Sequence, residues 1–136
     1  MIPKDIRILI VDDMLTIRQM VSAELQRLGF SKVREANDGH IAYDLVRTEN
    51  DKKTPFDLII SDWNMPNLTG IELLKRVRGD ASTKATPFIL LTSEGEREQV
   101  TEAILAGVSQ YIVKPFAAKT LLDKLEAAWT KHHPNK

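Results

Sequence analysis

The chain has 136 residues, 43% hydrophobic and 28% charged, and its 19 basic residues balance 19 acidic ones. That length suits one domain with a single core, and the even charge excludes the bias of a nucleic-acid binder. With no cysteine, a disulfide framework and thiolate metal sites are also excluded.

The first element is a strand: IRILIV, residues 6 to 11, is apolar without alternation, as a strand covered on both faces should be. Ile17, Met20, Val21, Leu25 and Leu28 then recur at three- and four-residue steps, predicting a helix that opens near Met14 and stops at Gly29. KVREA, residues 32 to 36, is a short second strand, and Ile41, Ala42, Leu45 and Val46 mark a second helix. The polar stretch TENDKKTP, residues 48 to 55, is expected to be a mobile loop. DLIIS, residues 57 to 61, is the third strand, and Ile71, Leu74, Val77 and Arg78 define the third helix. FILLT, residues 88 to 92, is the fourth strand, before a helix from Glu96 to Ala106 closed by Gly107. YIVK, residues 111 to 114, precedes a last helix from Ala117 to about Thr130, with Leu121, Leu122, Leu125 and Trp129 on one stripe.

Five alternations of strand and helix predict a single α/β domain of doubly wound (βα)5 type, its core at about 6–130, with helices on both faces of a parallel sheet. Residues 131–136, KHHPNK, read as a disordered tail, so His132 and His133 are expected to be solvated. The apolar runs fall short of the roughly 20 residues that cross a bilayer, and MIPKDIR lacks the apolar core of a signal peptide. A cytoplasmic protein with no membrane partner is expected.

In such a sheet the ligand site lies at the carboxyl ends of the strands. The residues ending the runs are Asp12 and Asp13, Asp62, Thr92 and Lys114. Each has an ordinary alternative: Asp12 or Asp13 capping the next helix, Asp62 capping a turn, Lys114 on the surface, Thr92 as a plain strand residue. Together they point to a site. Gathered carboxylates raise one another's pKa unless a cation holds them, and an all-oxygen set suits Mg²⁺. A carboxylate is also a nucleophile able to carry a phosphoryl group, and Asp62, followed by the turn-forming WNMPNLTG, is the best placed to be exposed. Lys114 would then be the second cation on the phosphoryl oxygens. Trp63 is expected to face outward by strand alternation.

With these residues in place, the chain resembles the receiver domains of two-component response regulators, and among them the single-domain chemotaxis regulators. The match runs from about Ile6 to Trp129 through ILIVDD, EANDG, SDWNMPN, GIELLK, LLTSE and YIVKPF. The resemblance implies a flavodoxin-like fold in strand order 2-1-3-4-5, with Asp62 as phosphoacceptor. It implies a Mg²⁺ site of Asp13, Asp12 through a metal-bound water, Asp62, and the backbone carbonyl of Asn64. Lys114 and Thr92 would contact the phosphoryl group, Thr92 and Tyr111 would form the switch, and Lys114–Pro115 would be cis. The partner face implied is the fourth helix, fifth strand and fifth helix, read through Arg97, Val100, Tyr111, Val113, Phe116 and Lys124. The implied partners of a monomer are a histidine kinase, the flagellar motor switch and a phosphatase.

The chain departs from the chemotaxis pattern in the longer stretch from Thr48 to Pro55, in Met14 where phenylalanine is usual, and in Glu96 where a basic residue is usual. These leave the phosphorylation chemistry intact and bear on the partner, so a phosphate sink or a regulator outside the motor is the alternative. A phosphatase with an aspartyl nucleophile would need a second Asp two residues after Asp62 as acid and base. Asn64 stands there and cannot shuttle the proton, leaving self-catalysed phosphoryl acceptance and slow self-dephosphorylation in place of enzymatic turnover. A flavodoxin-like electron carrier would have no use for the acidic cluster.

Overall fold

Successive residues of a strand point to opposite faces, so an unbroken apolar run requires cover on both. The computed structural model describes residues 2–65, 67–92 and 97–133, with the side chains of 97–99 excepted. Among them, β1 (Arg7–Val11), β2 (Lys32–Ala36), β3 (Leu58–Asp62), β4 (Phe88–Thr92) and β5 (Gln110–Val113) alternate with α1 (Leu15–Arg27), α2 (Gly39–Asp51), α3 (Gly70–Gly79), α4 (Arg97–Leu105) and α5 (Ala118–His132). Every strand pair is parallel, in the order β2-β1-β3-β4-β5.

Alternation sorts the apolar runs onto two cores. Leu9, Val11, Ile59 and Leu90 meet Ala42 and Val46 of α2, Leu74 and Val77 of α3, and Ala103 of α4. Ile8, Ile10, Ile60, Ile89 and Ile112 meet Val21 and Leu25 of α1 and Leu121, Leu125 and Trp129 of α5. Both faces are therefore covered along β3 and β4, whose residues are all buried, while the mixed KVREA segment forms the largely exposed edge strand β2. No helix of the described residues is long and apolar enough to cross a membrane.

Local chemistry sets the helix ends. Asp38 caps α2 by accepting from the Ile41 N–H at 2.8 Å, and Thr69 with Glu72 forms a capping box on α3. Gly29 and Gly107, with φ of 103° and 92°, follow α1 and α4 in the left-handed region that glycine adopts without steric cost. At Gly70, which opens α3, a Cβ would overlap the carbonyl oxygen of Asp62 and crowd Leu90.

Three expectations are corrected. The stretch 48–55 is not a loop throughout: α2 runs to Asp51. Its inward-facing Glu49 is 7% exposed, ion-paired to Arg7 Nη2 of β1 at 2.6 Å, and the Thr54 N–H caps the Glu49 carbonyl at 2.9 Å. A charged residue on the buried face hides the helical period, and its partner lies 42 positions away. Trp63 is 8% exposed among the apolar residues around Met65, Leu68 and Ile71, because β3 ends at Asp62 and the chain turns inward where alternation no longer applies. Helix α5 continues to His132, and neither histidine is freely solvated: His132 Nε2 lies 2.7 Å from Ser109 Oγ, and His133 stacks on Trp129 with ring centroids 3.8 Å apart. Residues 134–136 of the expected tail lie outside the described residues.

The Arg7 hydrogen bond, opposed by burial and aided by the charges of Arg7, Lys52 and Arg34, holds the Glu49 carboxyl below the usual glutamate value of 4.5. A depressed folded value means stability that is present above 4.5 and lost as pH falls through the folded value. Glu49→Gln is therefore expected to lower the urea midpoint at pH ~7 and to differ less from the parent in acid, at pH ~3; an unchanged gap would remove this pair from the acid response. Gly70→Ala is expected to cost about 1–3 kcal/mol in urea unfolding, since backbone that cannot move must yield to the added methyl; a neutral substitution would show that the α3 start relaxes freely.

Candidate functional site

A parallel sheet delivers the carboxyl ends of all its strands to one edge. Val11 is level with Ser61, Asp62 with Leu91, and Thr92 with Val113, so the residues at or just beyond these positions converge. Asp12 leaves β1 with its N–H on the Ala36 carbonyl at 3.1 Å, and Lys114 leaves β5 with its N–H on the Thr92 carbonyl at 2.7 Å. The Lys114–Pro115 peptide is cis.

The result is a compact charged cluster. Lys114 Nζ lies 2.9 Å from Asp62 Oδ1 and 3.5 Å from Asp12 Oδ2. Asp12, Asp13 and Asp62 each offer a carboxylate oxygen, all within 4.8 Å of one another. Asp12 is fully buried, Asp62 is 8% exposed and Asp13 is open to solvent. Burial pushes the Asp12 carboxyl above its ordinary value of 3.8; the Met14 N–H on Oδ1 opposes this, Asp62 raises it further, Lys114 lowers it and Asp13 raises it. Three carboxylates against one ammonium leave a formal excess of two negative charges when all are ionised.

Asp12 Oδ2 is buried and accepts no hydrogen bond among the described residues, a costly state for a carboxylate oxygen. An orphaned oxygen beside two further carboxylates, with no nitrogen or sulfur donor in the group, fits a small hard divalent cation of the Mg²⁺ type. Asn64 is exposed on the turn after β3, next to this cluster in the chain.

The remaining predicted residues separate into groups. Thr92 is buried at the end of β4, and half-buried Tyr111 on β5 packs against the α2–α4 core with Lys124 Nζ of α5 5.5 Å from its ring centre. Val113 is 41% exposed on the same strand, and Val100 of α4 is half-buried. Phe116 packs against the α1/α5 core and lines a groove with Ile17, Met20 and Pro115. Pro66, Glu96 and the side chain of Arg97 lie outside the described residues.

Sequence reasoning missed one positioning residue. Arg18 of α1 donates from Nη1 to the Asp12 carbonyl at 2.8 Å and from Nε to Glu35 at 3.1 Å, holding the backbone that carries the acidic pair. Its helical position, one turn after Met14, was the available signal, but a lone arginine on an amphipathic helix reads as surface.

Known proteins share the sequence and the fold over most of the chain. Over 123 residues the chain is 47% identical to the chemotaxis protein CheY-3 of Vibrio cholerae, covering 90% of this chain and 91% of that one. It is 44% identical over 120 residues to the chemotaxis protein CheY of Pseudomonas aeruginosa, covering 88% and 93%. The crystal structure of V. cholerae CheY4 superimposes with a TM-score of 0.80 at 41% identity, covering 91% of this chain and 98% of that one. The model of the response regulator receiver domain matches residues 8–126. With the 2-1-3-4-5 parallel sheet and the acidic cluster at its carboxyl edge, the chain belongs to the response regulator receiver family.

Proposed function

We propose that this chain is a phosphorylation-activated switch of a two-component system, in which Asp62 accepts a phosphoryl group from a histidine kinase with Mg²⁺ and the signal is read on the α4-β5-α5 face. The observation that carries the reading is the Lys114 ammonium 2.9 Å from Asp62 Oδ1 beside the orphaned Asp12 oxygen. Chemotaxis and flagellar motor control are the setting, supported by relatives named as chemotaxis proteins at 44–47% identity. The proposal sets the protein in the cytoplasm as a monomer, with a phosphatase as a further partner.

In the transfer, an Asp62 carboxylate oxygen forms the new bond to phosphorus as the phosphorus–nitrogen bond to the kinase histidine breaks, and the imidazole, whose other ring nitrogen already carries a proton, takes the bonding pair and leaves as a neutral ring. Asp12, Asp13, Asp62 and the Asn64 carbonyl would hold Mg²⁺, which when bound supplies charge neutralisation on the phosphoryl oxygens. Lys114 exchanges its contact with Asp62 for one with a phosphoryl oxygen. The buried Thr92 hydroxyl turns toward the added oxygens, and Tyr111 moves into the space released, shifting an equilibrium between two arrangements of the β5 edge. Asn64, an amide, cannot act as the acid and base of a phosphatase, so the site stores the group.

Incubation with acetyl phosphate and Mg²⁺ is expected to add one phosphoryl group by intact mass, and to add none to Asp62→Asn or after chelation of the metal. An equal adduct in Asp62→Asn would overturn the assignment. Treatment with beryllofluoride, a phosphoryl mimic, is expected to raise the affinity for a motor-switch peptide on the order of 5–150-fold, and less in Tyr111→Ala. An affinity unchanged by the mimic would separate the phosphoryl chemistry from motor output and favour a sink or another apparatus.

A further inference from the structure

The amino end of the sheet, opposite the acidic edge, holds a second polar cluster that the phosphorylation reading does not use. Arg78, near the end of α3, donates from Nε to the Gly107 carbonyl at 2.8 Å, from Nη1 to the Thr86 and Lys84 carbonyls at 2.6 and 3.2 Å, and from Nη2 to Ser109 Oγ at 3.3 Å. All four acceptors are uncharged. Ser109, 3% exposed, also accepts from the Phe88 N–H at 3.0 Å, where β4 begins.

A hydroxyl accepts twice and donates once. Both acceptor positions of Ser109 are filled by Phe88 and Arg78, so its own proton must go to the remaining neighbour, His132 Nε2 at 2.7 Å. That nitrogen is therefore the unprotonated one, and the ring is the neutral tautomer with hydrogen on Nδ1.

We propose that His132 is a proton-sensitive latch, which in its neutral form takes the Ser109 hydroxyl on Nε2 and fastens the last turn of α5 to α3, β4 and β5. A proton on Nε2 would point at a hydroxyl with no acceptor position left. The resulting cation would also face Arg78 from α3, with Lys131 and His133 beside it on α5; Gln110 and Tyr111 at β5 and Ile104 of α4 line the same groove. Among the described residues no carboxylate forms an ion pair with the ring to hold the added charge.

The direction of the proton linkage follows. Burial first, and then Arg78, His133 and Lys131, hold His132 below the usual histidine value of 6.5. The unfolded chain thus binds the proton more readily; the latch contributes fully above 6.5, is lost as pH falls through the folded value, and has nothing more to lose below it.

Nitrogen-15 NMR of the imidazoles in the intact protein reads tautomer and titration without any substitution. The expected result is a His132 ring with hydrogen on Nδ1 at neutral pH and a midpoint below 6.5. In parallel, the drop in urea midpoint between pH ~8 and pH ~5 is expected to be smaller in His132→Gln than in the parent. Hydrogen on Nε2, a midpoint at or above 6.5, or an equal drop in His132→Gln and the parent would each overturn the latch.

Discussion

The contact between the Lys114 ammonium and the Asp62 carboxylate, 52 residues apart in the chain, is the interaction on which the rest of the carboxyl edge depends. Carboxylates gathered this closely would otherwise repel, and one of them, Asp12, has no access to water. Lys114 reaches both Asp62 and Asp12, so the ends of β1, β3 and β5 share one cation. It compensates only part of the charge. An orphaned oxygen and an excess of negative charge remain, which a site meant solely for stability would have no reason to keep.

That edge is open to this chemistry because the remainder of the sheet is closed. The apolar runs of β1, β3 and β4 are covered on both faces, and their alternation divides the helices into α1 with α5 and α2 to α4. Polar groups can then collect only where strands start and stop. At the carboxyl end they are acidic, under-compensated and partly exposed. At the amino end they are nearly fully satisfied: Arg78 spends three donor nitrogens on carbonyls and Ser109, and the Ser109 hydroxyl is within hydrogen-bond distance of His132 Nε2. A satisfied network holds its elements in place, whereas an unsatisfied one is ready to take a ligand.

Much of the architecture was legible because it rests on short-range signals. Unbroken β-branched runs marked the covered strands, three- and four-residue steps marked the helices, and Gly29 and Gly107 stopped α1 and α4 through a backbone conformation that glycine adopts freely. The gathering of the acidic residues and Lys114 was legible too, since a parallel sheet sends every strand end to one edge. Misreadings fell where a partner distant in sequence altered the meaning of a residue. Glu49 counted as polar until Arg7 buried it within α2, and the histidines at the end of α5 counted as tail until Ser109 and Trp129 engaged them. Trp63 was assigned by strand alternation one residue beyond the strand.

The sequence by itself determined the order and kind of the elements, the residues that end the strands, and the family they mark, because periodicity and turn chemistry act between neighbours along the chain. Only the tertiary structure decided that Asp12 would be buried with one oxygen accepting no hydrogen bond among the described residues and that Phe116 would pack against the α1/α5 core. It also decided that Ser109 would have its single proton left for His132. These outcomes depend on which groups compete for the same donor, acceptor or space once distant segments pack, and that competition has no trace in the local order of residues.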